Sequence, residues 1–336
     1  MTEMEKAVEG RRPSSQGSTG EASTTSPPTG RDAQAGQGVD VARLGPESKA
    51  RLRGLLEVLA LRAEGVDDRG QDVFVGQSQR QVHGRVFGGQ VLGQTVIAAG
   101  RTVPVDRLVH SMHAYFLRPG DANRPITFRV ERLRDGRSFT ARRVHAYQQE
   151  KTILSMTASF QELDPGLDHQ DEMPDAPDPE TLPTAYERIG HIDLSAAQYW
   201  ARGRPLDIRH VQQPVYFTAD TSGQSRQMVW MRTVGRLPDD QLLHRAVLAY
   251  ASDYTLLESV LRRHGKMWTT PGLKPASIDH AMWWHRTVRA DEWMLYVESS
   301  PSASGARGLG LGRIFRRDGT LVATVAQEGM LRVPLD

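Results

Sequence analysis

VHSMHAYFLRP (109–119), ITFRVERLR (126–134), SFTARRVHAYQQ (138–149) and TILSMTASFQE (152–162) follow one another with only short polar turns between them. In the last of these, Leu154, Met156, Ala158 and Phe160 alternate with Ser155, Thr157 and Ser159. A period of two gives a strand one buried face. RDGRS (134–138) and QEK (149–151) read as hairpin loops, so the four runs form an antiparallel meander. Upstream, GRVFGGQVLGQTVIAAGRTV (84–103) reads as a helix opened by Gly88 and Gly89. Glycine is costly inside a helix but useful where backbone must approach a ligand. A first helix is expected over 48–63, from Leu52, Leu55, Leu56 and Leu59, and a short strand over 72–78.

The second half repeats this order. Strands are expected at 214–220 and 226–234, a long helix at 240–263, and strands at 277–286, 293–300, 305–316 and 320–331. Two short matches support a duplication. Tyr115-Phe116-Leu117-Arg118 resembles Trp283-Trp284-His285-Arg286, and Thr152-Ile153-Leu154 stands at the same offset from Thr320-Leu321-Val322. Between the halves, residues 164–183 are rich in Pro and Asp and read as a linker. The expected organisation is a tail over 1–40, one α+β unit over 41–163, a linker region over 164–204 and a second unit over 205–336. Residues 1–40 contain no Leu, Ile, Phe, Tyr or Trp. Such a segment cannot bury enough apolar surface to offset its chain entropy, so it is expected to be disordered.

Composition removes several function classes. The chain has no Cys, which excludes disulfide scaffolds, thiol nucleophiles and Cys-ligated metal sites. No apolar run approaches the length of a membrane helix, and no secretory h-region opens the chain, so the expected location is the cytoplasm. Net charge is +2 without a basic block, so nucleic acid is not an expected partner. All but five of the 42 basic residues (Lys6, Lys49, Lys151, Lys266, Lys274) are Arg, whose planar fork suits phosphates.

Standard catalytic signatures fail. GQSQR (76–80) and GQSRQ (223–227) lack the second glycine of a nucleophile elbow, and no HExxH or phosphate-loop pattern is present. GLGLG (308–312) lies between strand-like residues, where glycine marks a bend or a close backbone approach. His110 and His113 stand three apart on a strand and so face opposite ways, which argues against a joint metal site. No metal and no cofactor are expected. In Ser277-Ile278-Asp279-His280, Ser277 and Asp279 are expected on one strand face and His280 on the other, a poor geometry for a local triad.

Two polar residues interrupt apolar faces. Asp253 sits among Val247, Leu248, Tyr250, Ala251 and Tyr254, where a carboxylate is costly unless it finds partners; by composition alone it reads equally as a solvent-facing residue or a local cap. Gln327 continues the strand face of Leu321, Ala323 and Val325 and reads as a site wall or the wet end of the strand.

Seven strings in order make the chain resemble the acyl-CoA thioesterase II family from about residue 50 to residue 333: VFGGQVLGQ (86–94), LVHSMHAYFLRPGD (108–121), LRDGRSFTARRV (133–144), MTASFQ (156–161), LAYASD (248–253), SIDHAMWWHR (277–286) and VAQEGMLR (325–332). The resemblance implies a double hot-dog fold, two long helices each wrapped by an antiparallel sheet. It implies hydrolysis of acyl-CoA to fatty acid and CoA in a homo-oligomer. The implied catalytic set falls on Asp253, Ser277 and Gln327, which would hold one water, with Asp253 as general base; some members carry Thr where Ser277 stands. CoA phosphates would be met by Arg. The rival readings are an acyl-CoA hydratase on the same fold and a non-catalytic acyl-CoA-binding module.

Overall fold

The computed structural model describes residues 45–81 and 84–333; the tail expected over 1–40 lies outside them. Helix α1 (Pro46–Leu59) starts on a proline, whose fixed φ suits the first turn. It buries Leu52, Leu55, Val58 and Leu59. It stops short of the expected 63, because strand β1 (Arg62–Val66) begins there and pairs with β2 (Asp72–Gly76). Helix α2 (Gly88–Gly100) follows, then β3 (Leu108–Phe116), β4 (Ile126–Asp135), β5 (Phe139–Gln148) and β6 (Lys151–Gln161). The meander is as expected. At the QEK turn Gln149 and Glu150 both take positive φ, which the tight two-residue hairpin requires.

Residues 179–203 hold short helical turns, among them α3 (Ala185–Ile189) and α4 (Ser195–Gln198). Then come β7 (Leu206–His210), β8 (Gln227–Thr233), α5 (Gln241–Ser252), α6 (Glu258–Arg263), β9 (Lys274–Ser277), β10 (Asp279–Trp284), β11 (Met294–Ser304), β12 (Arg307–Arg316) and β13 (Leu321–Arg332). The strand expected at 214–220 does not form. Residues 215–217 form a turn, and β7 supplies the pairing to β8 instead. The helix expected over 240–263 is two helices. Ser252, Asp253, Tyr254 and Thr255 are weak helix formers in succession, and the chain turns there.

The strands form one antiparallel sheet in the order β1-β2-β4-β5-β6-β3-β10-β13-β12-β11-β8-β7, with β9 beside β13. The order is the same read from either end: β3 matches β10, β6 matches β13, β5 matches β12. The two halves meet where β3 pairs with β10, Met112 opposite Met282. Inside the curved sheet α2 and α5 pack antiparallel: Gly89 lies against Tyr250, Gly93 against Ala246 and Gly100 against Leu242. The core is continuous across the halves, with Leu92, Val96, Met112, Phe128 and Phe160 from one and Val247, Leu248, Met282, Tyr296 and Val325 from the other. This is the two-helix, sheet-wrapped arrangement that the sequence led us to expect.

The glycines of GLGLG are close-approach positions, as expected. A Cβ on Gly310 would stand 2.9 Å from the Leu256 carbonyl oxygen, so the strand lets the chain after Asp253 lie directly on it.

Candidate active site

Asp253 caps the C-terminus of α5 in a helical conformation (φ −84°, ψ −4°). The antiparallel helix pair therefore brings its carboxylate to the N-terminus of α2. There Oδ2 accepts a hydrogen bond from the Gly89 N–H at 2.8 Å. Both glycines are needed for this approach: a Cβ on Gly88 would lie 2.6 Å from Asp253 Oδ2, and one on Gly89 would lie 2.2 Å from the Tyr250 carbonyl oxygen.

The other carboxylate oxygen faces β9 and β13. Asp253 Oδ1 accepts from Gln327 Nε2 at 2.7 Å and from Ser277 Oγ at 3.3 Å. Gln327 Nε2 also donates to Ser277 Oγ at 2.7 Å. The three residues chosen from sequence thus converge, although they come from a helix end, an edge strand and the last strand. The strand expected to run through 277–286 is broken at Ile278, whose N–H bonds the Glu328 carbonyl. That break separates Ser277 from Asp279 and delivers the hydroxyl alone to the site.

Two opposing effects act on Asp253. Removal from bulk water dominates and raises its carboxyl to a pKa of about 6. The hydrogen bonds from Gln327, Gly89 and Ser277 pull the other way, and the dipole at the α2 N-terminus favours the anion. The result is a carboxylate that is ionised near neutral pH and still basic enough to take a proton.

Asp253 and Ser277 open onto a cavity of about 520 Å³, a size typical of small-molecule sites. Val91, Phe116, Leu154, Leu257 and Trp268 give it apolar walls, and Gly88 also lines it. Arg85 and Arg118 are exposed at its rim, and Arg204 is buried in its wall against the faces of Tyr254 and Tyr216.

Sequence reasoning passed over two members of this cluster. His280 is fully buried on β10, and its Nδ1 lies 3.2 Å from Gln327 Oε1. Its Nε2 lies 2.9 Å from the hydroxyl of Ser252, the residue before Asp253. The available signal was periodicity, since His280 shares its strand face with the buried Met282 and Trp284. Setting His280 aside as a nucleophile's partner is consistent with the geometry, because both its ring nitrogens are engaged away from Ser277. His110 bonds Ser159 and His113 packs edge-on to Trp283; contrary to expectation the two rings share a sheet face, because the register shifts between Val109 and Ser111, yet each has its own partner. Among the described residues no cluster of three His, Asp or Glu side chains is arranged to hold a metal ion. Among them, too, no helix is long and apolar enough to cross a membrane.

Comparison with known proteins places this arrangement. The sequence pattern of acyl-CoA thioesterase matches residues 204–330, and that of the acyl-CoA thioesterase N-terminal domain matches residues 77–161. The chain is 39% identical over 302 residues to acyl-coenzyme A thioesterase 8 of Mus musculus, covering 84% of this chain and 90% of that one. It is 38% identical over 285 residues to acyl-CoA thioesterase 2 of Haemophilus influenzae, covering 84% and 98%. Among solved structures, an acyl-CoA thioesterase II from Mycobacterium marinum superposes with a TM-score of 0.68 at 43% identity, over 83% of this chain and 98% of that one. A hot-dog-fold protein from Alicyclobacillus acidocaldarius, at 18% identity, reaches a TM-score of 0.67 over 84% and 98%, a likeness of fold alone. With its double hot-dog fold and relatives of this closeness over most of its length, the chain belongs to the acyl-CoA thioesterase family.

Proposed function

We propose that the protein hydrolyses fatty acyl-CoA to free fatty acid and CoA, with Asp253, Ser277 and Gln327 as the catalytic set. The observation that carries this is the convergence of a carboxylate, a hydroxyl and an amide, the first two of which line an apolar-walled cavity. A thioester carbonyl is already electrophilic, so the site needs only to hold a water and take its proton. Asp253 is the base. Its Oδ2 accepts only the Gly89 N–H among the described groups and so has a lone pair left for the water. Ser277 orients the same water, and Gln327, whose two amide hydrogens go to Asp253 and Ser277, holds those two groups in place for it. The water oxygen bonds to the carbonyl carbon as Asp253 takes a proton. The tetrahedral intermediate then expels the CoA sulfur, which leaves as thiol with that proton. Gly88 lines the cavity and is first in α2, so its N–H has no intrahelical acceptor. It is our choice of donor for the developing oxyanion.

Arg85 and Arg118 at the rim are our choice of partners for the CoA phosphates. We keep the division into units over 41–163 and 205–336, joined by 164–204, together with a homo-oligomeric state and a cytoplasmic location, as further proposals. Light scattering and cell fractionation test the last two.

The deciding experiment is a chain-length series of saturated acyl-CoA substrates read with a thiol reagent. Thiol release supports hydrolysis. Hydration of an enoyl-CoA without thiol release would favour the hydratase reading, and tight binding without turnover would favour the binding module.

A further inference from the structure

Gln327 has an amide whose two ends are nearly the same shape, and only one orientation serves the site. With Nε2 inward it donates to Asp253 and Ser277, both at 2.7 Å. Turned over, it would offer them an acceptor. While Asp253 is ionised, the carboxylate itself forbids the turn. Once Asp253 has taken the proton of the water, that constraint is gone, because a protonated carboxyl is equally satisfied by donating to Oε1.

We propose that His280 is a positioning residue that locks the Gln327 amide in its productive orientation through the whole catalytic cycle. The inference rests on the assignment of Gln327 to the catalytic set. Gln327 Oε1 can only accept, so His280 Nδ1 must carry the proton that faces it at 3.2 Å. Burial lowers the His280 pKa to about 4, which keeps the ring neutral and leaves Nε2 without a hydrogen. Nε2 must then accept, and the Ser252 hydroxyl at 2.9 Å is its donor. Ser252 Oγ also lies 3.0 Å from the Ala249 carbonyl, so its single proton has two destinations, and the one toward His280 sets the tautomer. The order Ser252, His280, Gln327, Asp253 links the end of α5 to β10, to β13 and back to the residue after Ser252. A turned amide would set its NH₂ against the Nδ1–H, and this cost persists when Asp253 is protonated.

His280 is not among the residues that line the cavity, so its loss should act on kcat and leave KM for acyl-CoA nearly unchanged. We expect His280→Leu to lower kcat by roughly 10- to 100-fold through loss of positioning. His280→Asn, whose amide N–H can reach the place of Nδ1–H, should restore most of the rate. Ser252→Ala should give a smaller loss, because it releases the tautomer. In a Gln327→Leu background, His280→Leu should cost less than about two-fold more, since there is no amide left to hold.

Additive losses in that cycle would overturn the proposal and mark His280 as packing alone. So would wild-type kcat in folded His280→Leu, or no rescue by His280→Asn. If His280→Leu does not fold, His280→Asn and Ser252→Ala carry the test, and wild-type kcat in Ser252→Ala overturns it. Asp253→Asn is the control for the underlying assignment. Full activity there sinks the catalytic set itself, whereas inactive Asp253→Asn with additive His280 effects sinks only the role of His280.

Discussion

At the scale of single residues, the proposed chemistry turns on the contest between burial and hydrogen bonding at Asp253. Burial wins and places the carboxyl near a pKa of about 6. The base must be ionised to accept a proton, so kcat should fall on the acid side of about pH 6, by about tenfold per unit of pH, and level off above it. A flat profile down to pH 5 would exclude Asp253 as the base. Asp253→Asn keeps the shape and removes the acceptor; it should lower turnover by ~10²–10⁴-fold, the usual effect of losing a positioned general base. Activity per folded molecule is the measurement, because a merely structural carboxylate would alter stability and spare the rate. Asp253 and Gln327 stood out in the sequence because each places a polar group on an apolar face, but only the family strings joined them in one site and added Ser277. His280 was not. It was weighed as a partner for its sequence neighbours, while its real partners lie 28 and 47 positions away. No local pattern encodes that distance.

At the scale of elements, the site depends on how closely α2 and α5 approach, and two adjacent glycines divide that task. A Cβ on Gly88 would meet the Asp253 carboxylate and the Phe116 ring; a Cβ on Gly89 would meet the Tyr250 backbone. A carboxylate can be pushed aside, but a helix backbone cannot yield without separating the helices. Gly88→Ala should therefore keep the melting temperature within about a degree, because Ala at the start of a helix is favourable, yet lower kcat by about 100-fold through displacement of the base. Gly89→Ala should instead destabilise the fold by about 1–3 kcal/mol, the cost of an overpacked interface. Equal melting temperatures for the two variants would contradict this division. The sequence marked both glycines as a helix opening near a ligand but left open what they approach. The break at Asp253 was missed for a related reason. The apolar run from 240 to 263 continues through it, since Tyr254, Leu256 and Leu257 remain buried after the chain has turned. Periodicity records which residues are buried; it does not record the turn.

At the scale of the whole molecule, duplication accounts for what the sequence made plain: one order of elements, repeated, joined through β3 and β10. The copies are not equivalent in charge. Beneath α6, in the second half, Glu298 is fully buried; Thr255 Oγ1 donates to it at 2.5 Å, and Gln227 donates to it and to the neighbouring Glu258. Burial, with Glu258 adding to it, pushes the Glu298 carboxyl up to about 8. A carboxyl raised on folding holds its proton longer in the native state than in the unfolded chain. Its contribution to stability is complete below the unfolded value near 4.5 and is lost as pH rises toward 8. The histidines lowered by burial, His110, His244 and His280 among them, act oppositely, but only below their unfolded value of 6.5. Between pH 6.5 and 8 Glu298 is therefore the dominant group. Stability should fall there by about 1–2 kcal/mol, a loss of roughly a few degrees in melting temperature. Glu298→Gln has no proton to lose, so its melting temperature should be level across the same window. Thermal scans of both proteins at pH 6.5, 7.25 and 8 make the comparison. Parallel slopes would show that the charge of this buried cluster does not govern the stability of the fold.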